Sequence, residues 1–105
     1  MNFNRSLFAF ADIQEAFERA LNSDKGVRIT CKSRGAAVSL RSRFNYWRTL
    51  NRKDNAITYD PNHVMHGRSI YDRLVLRIGP KGGLTEATLF IEPRTIEDLD
   101  IEEIT

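Results

Sequence analysis

Arg41, Asn45, Arg48 and Arg52 recur at intervals of four, three and four residues. If this stretch is helical, they fall on one stripe about 60° wide, because an α-helix advances about 100° per residue. Guanidinium groups in a row can bind phosphates, each through a planar fork of two hydrogen bonds, and asparagine can pair with an adenine edge. The surrounding run, Arg41 to Lys53, holds five basic residues, three aromatic residues and no acid. A solvated helix face normally carries compensating carboxylates at i±4 spacing, and none is present here. The stripe is therefore expected to await an outside anion, with nucleic acid the first choice. The chain's own acidic segment or the acidic groove of another protein would satisfy the same chemistry.

Charge along the chain supports this. Residues 1–24 carry two bases and four acids, residues 25–53 nine bases and no acid, and residues 54–105 five bases and ten acids. The net charge of +2 thus hides a block of +9, and such a block creates a local field that attracts polyanions. The expected nucleic-acid contacts are Arg28, Lys32, Arg34, Arg41, Arg43, Asn45, Tyr46, Arg48, Arg52 and Lys53, with Tyr46 as a stacking residue and Trp47 as core. Arg48→Glu is expected to abolish binding and leave the fold intact. A second surface is expected on the outer sheet face, where Arg28, Lys32, Tyr71, Arg73, Arg77 and Phe90 would interleave cations with aromatic rings. Single strands suit such a surface, since bases stack while phosphates pair with arginines. Glu86 and Glu92 on that face work against it.

Other chemistry is less well supported. His63 and His66 have a His-x-x-His spacing near Asp60, but Pro61 and Gly67 oppose the regular helical turn that would converge them on a metal. No metal or other cofactor is expected. Ser69 near His66 lacks an oxyanion-hole motif, so no hydrolase is expected and the chain reads as non-enzymatic. Lys81-Gly82-Gly83 lacks the spacing of a phosphate loop and reads as a turn. Cys31 reads as inert core filling.

The elements that would position these residues follow from periodicity. Asp12 with Glu15 suggests a capped helix to Leu21, with Ile13, Ala16, Phe17, Ala20 and Leu21 on one face. Val27 to Lys32 alternates as a strand, with Val27, Ile29 and Cys31 inward. A break at Ser33–Gly35 precedes a second helix from Ala36 to about Lys53, its apolar face built on Leu40, Phe44 and Trp47. Ala56 to Tyr59 offers a short strand. Ser69 to Ile78 reads as a strand with Ile70, Leu74, Leu76 and Ile78 inward, and Tyr71, Arg73, Val75 and Arg77 outward. A tip at residues 79–83 leads to a return strand, Leu84 to Glu92. The predicted fold is α+β: a small antiparallel sheet of three to four strands with both helices on one face, in the order α-β-α-(β)-β-β. One domain would span residues 1–94, followed by an acidic tail, 95–105, with five acids and no base. That tail could dock on the basic surface or simply solubilise the terminus.

At 105 residues, with 41% hydrophobic and 29% charged residues, the composition is that of a globular protein with a modest core. No apolar run approaches the roughly 18 residues needed to span a bilayer. A single cysteine fits a reducing cytosol, so a cytoplasmic location is expected, with no membrane partner. The opposed charge blocks make the molecule a dipole, which favours homo-oligomers. Size and composition also suit a viral or mobile-element gene product, though no single residue carries that reading. The functional expectation is a small nucleic-acid-binding protein for DNA or RNA. The alternative is an adaptor or inhibitor that docks its basic helix on an acidic protein surface.

Overall fold

The computed structural model describes residues 10–94. Two helices, α1 (Phe10–Leu21) and α2 (Arg34–Thr58), accompany three strands, β1 (Val27–Thr30), β2 (Leu74–Ile78) and β3 (Thr88–Pro93). The strands form one antiparallel sheet in the order β1-β3-β2. This is the expected α+β class. The acidic tail lies outside the described residues.

Strand alternation sorts the sheet into two faces. Register aligns Val27, Ile91 and Leu76 in one inward row, and Ile29, Leu89 and Ile78 in the next. Ile13, Phe17 and Ala20 of α1 and Leu40 and Phe44 of α2 join Ile29, Leu74, Leu89 and Ile91 in the core. Phe17 is its centre. Its ring meets Phe44 edge-on at 4.9 Å, stacks on Tyr71 at 5.0 Å and tilts toward Trp47 at 5.7 Å. Aromatic pairs at these distances add about 0.5–1.5 kcal/mol each beyond the area they bury. Gly26 makes the entry to β1 possible. It holds φ +82, and a Cβ there would sit 2.1 Å from the carbonyl oxygen of Ile91.

Several expected boundaries are corrected. Ser33 is not part of a break. Its Oγ accepts a hydrogen bond from Ala36 N at 3.1 Å, so it caps α2, and Arg34 and Gly35 form the first turn. The helix continues to Thr58, so the strand expected over Ala56 to Tyr59 does not exist. Asp12 lies inside the first turn of α1 rather than at its cap. The strand expected from Ser69 begins only at Leu74. Ile70–Arg73 is a 3₁₀ turn closed by a capping box, in which Ser69 Oγ accepts from the turn's backbone and Asp72 accepts from Ser69 N. That turn shifts the facing of its residues, so Ile70 is exposed and Tyr71 is buried. The return strand starts at Thr88 rather than Leu84, because turns occupy residues 80–87.

Candidate nucleic-acid interface

The arginine stripe of α2 does not face solvent as a unit. The helix's buried residues are Ala37, Leu40, Phe44 and Arg48, a 3-4-4 spacing that continues the core face through an arginine. Arg48 is 9% exposed. Its Nη1 donates to the carbonyl oxygens of Tyr71 at 3.0 Å and Leu74 at 2.9 Å, and its Nη2 donates to Asn45 Oδ1 at 2.9 Å. Its Nε lies 3.7 Å from Asp72 Oδ1 and has no hydrogen-bond partner. Arg52 grips the Asp72 carboxylate through Nε and Nη2. The expectation of unneutralised guanidinium groups along this stripe is thus overturned for Arg48 and Arg52: the protein's own backbone and Asp72 hold them.

Electrostatics follow the same geometry. Burial lowers the pKa of Arg48, as do the neighbouring Arg52 and Arg94, while Asp72 opposes the shift. Burial alone would raise the Asp72 carboxyl. The hydrogen bonds from Arg52 and Ser69 N, with the charges of Arg52 and Arg48, outweigh it and hold the carboxyl below its ordinary value.

The other expected contact residues scatter. Arg34 Nη1 donates to Gly79 O at 2.6 Å and ties the start of α2 to the β2–β3 connection. Arg41 and Arg43 are half-buried, Asn45 and Lys53 exposed, and Tyr46 58% exposed; neither Arg43 nor Tyr46 is without a partner. Trp47 packs against the core, as expected. So does Cys31, whose thiol pKa burial pushes up. His63 stacks on Tyr59 at 4.4 Å, and His66 Nδ1 lies 2.8 Å from Tyr59 O. Among the described residues, no three His, Cys, Asp or Glu side chains gather as a metal site would require.

The outer face of the sheet is where cations and an aromatic ring do converge. Arg28, Phe90 and Arg77 occupy one row across all three strands. The Arg77 guanidinium carbon sits 4.2 Å from the Phe90 ring centroid, and Glu92 accepts from Arg77 Nε at 2.9 Å and Nη2 at 3.2 Å. Arg28, Thr30 and Arg77 are exposed, as is Lys32 in the bend beyond β1. Arg94 N donates to Arg73 O at 2.8 Å, and both arginines are exposed at the end of the sheet. Tyr71, expected here, is instead in the core, with its hydroxyl donating to Glu18. The capping pattern Ser69-x-x-Asp72 was the sequence signal for that turn and for the acid that neutralises α2.

No protein-family model matches the chain, and neither a curated protein nor a solved structure matches it. Among the described residues, no helix is long and apolar enough to cross a membrane.

Proposed function

We propose that this chain is a small, non-enzymatic nucleic-acid-binding protein that takes single-stranded DNA or RNA on the outer face of its sheet. The row Arg28–Phe90–Arg77 carries the reading. Single strands expose both bases and phosphates, and a base stacks on an aromatic ring or a guanidinium plane while neighbouring cations take the phosphates. The Arg77 guanidinium lies over the Phe90 ring, with exposed Arg28 in the same row and Lys32 just beyond β1 adding charge. Glu92 holds Arg77 in place and makes the row less positive, which favours stacking over bulk attraction. Duplex binding through α2 loses support because Arg48 and Arg52 are engaged internally.

Fluorescence-anisotropy titrations across a salt series test this. Single strands are expected to bind more tightly than the matching duplex. Log affinity should fall with log salt at a slope of about −3, as for roughly four phosphate contacts on a single strand. Arg28→Glu should weaken binding about ten-fold or more. Equal binding of duplex and single strand, unaffected by Arg28→Glu, would refute the sheet assignment. A protein partner is the second reading, favoured by Ile57 and Val64, which are 86% and 75% exposed near the end of α2. A pull-down that survives nuclease treatment and fails with Ile57→Asp would select it.

A further inference from the structure

Arg48, Arg52 and Arg94 meet at Asp72, where the end of the sheet adjoins α2. Arg48 and Arg52 approach its carboxylate from the helix, and Arg94 Nε donates to its backbone oxygen at 3.2 Å. Asp72 cannot balance three guanidinium groups. Its Oδ1 already accepts from Arg52, and its Oδ2 from Arg52 Nε and Ser69 N, so the carboxylate is saturated and turned to the helix side. The nearby acids are engaged elsewhere, Glu92 with Arg77 and Glu18 with the Tyr71 hydroxyl. A buried Arg48 Nε without a hydrogen-bond partner marks the same excess of donors over acceptors.

We propose that this corner is a binding site for a phosphate group, gripped by Arg94 from the sheet end and by the exposed side of Arg52. Arg48 is the positioning residue beneath it: it fixes the 3₁₀ turn through Tyr71 O and Leu74 O and adds its charge without touching the ligand. Asp72 holds the Arg52 fork in one orientation. Phosphate fits better than a carboxylate because its tetrahedral oxygens can meet forks arriving from separate directions, while a carboxylate is planar. The group could be a nucleic-acid phosphate or a free phosphate compound. The site stands on its own geometry and does not depend on stacking at Phe90.

Two arms separate these sources and test the site. In the first, inorganic phosphate is titrated into the full chain at constant ionic strength in chloride, read by thermal shift. A saturable rise in Tm is expected, as for any ligand that binds the folded state only. Arg94→Gln should weaken the apparent affinity about ten-fold, and Arg68→Gln, exposed outside the cluster, should leave it unchanged. No rise beyond the chloride control, or an equal rise in Arg94→Gln, overturns the site. In the second arm, a single-stranded oligonucleotide with a 5′-phosphate is compared with its 5′-hydroxyl form. Tighter binding of the phosphorylated form, lost in Arg94→Gln, assigns the phosphate to nucleic acid. Inorganic phosphate binding with no oligonucleotide binding keeps the corner as a small-phosphate site and refutes the single-strand reading alone.

Discussion

Arg48 shows why residue type misleads here. At 100° per residue it lies only about 40° from Phe44 and about 20° from Ala37, at the edge of the arc that Ala37, Leu40 and Phe44 define. Its charge suggested solvent, but its head turns inward, where Nη1 bonds Leu74 O and adds a second donor to Tyr71 O, which Leu74 N already bonds. Removing it would strand Leu74 O, take one of two donors from Tyr71 O and leave Asp72 one cation short, and truncating one member of a buried, bonded ion pair costs about 3–5 kcal/mol. Arg48→Ala should therefore lower urea-unfolding stability by several kcal/mol, and Arg48→Glu should unfold the chain rather than only abolish binding. A variant that keeps wild-type stability would show that the internal bonds carry no weight. Tyr71 gives a second handle. Burial first, then the hydrogen bond and charge of Glu18, push its hydroxyl up to about 12. A pKa raised on folding stabilises the native state below the unfolded value near 10 and withdraws that stability as pH climbs toward 12. Wild type should lose stability over that window more steeply than Tyr71→Phe, as followed by circular dichroism melts at stepped pH.

At the scale of elements, the strongly periodic segments were legible and the mixed ones were not. α1, β1 and the facing of Leu74, Leu76, Leu89 and Ile91 follow directly from spacing, because each buries one side against a shared core. Ser33 was misread as a break because Gly35 follows it, yet the hydroxyl satisfies an orphan amide and a single glycine in a first turn is tolerable. Ser33→Ala should cost about 1 kcal/mol, measurable by chemical denaturation, with the helix end otherwise unchanged. The last turns of α2 carry no buried residue, so no hydrophobic period announced them. Tertiary bonds hold them instead, from Arg52 to Asp72 and from Asn55 to Arg68 O. Such bonds join residues distant in sequence and leave no local pattern. The same reason hid Tyr71, since a local capping box displaced the alternation that an extended strand would have kept.

For the whole molecule, the acid-free middle segment remains a fact, but folding distributes its charge. Some of it is neutralised at Asp72, Arg34 is spent on backbone carbonyls, and Arg28 and Lys32 stay exposed. From the later, more acidic half, Arg77 joins Arg28 in the outer row of the sheet, and Arg94 joins the cluster at Asp72. Summing charge by sequence block therefore finds the basic segment but not that folding engages Arg48 and Arg52 within the protein. On the function proposed here the outer sheet face, and not the helix, meets the nucleic acid. Amide chemical-shift mapping of the isotope-labelled protein with a single-stranded oligonucleotide tests it most directly. Shifts should concentrate on Arg28, Thr30, Arg77 and Phe90, and Phe90→Ala should weaken binding by about 1–3 kcal/mol, the usual worth of one stacked base. Shifts confined to Asn45, Thr49 and Lys53 on α2, with the sheet unmoved, would contradict it.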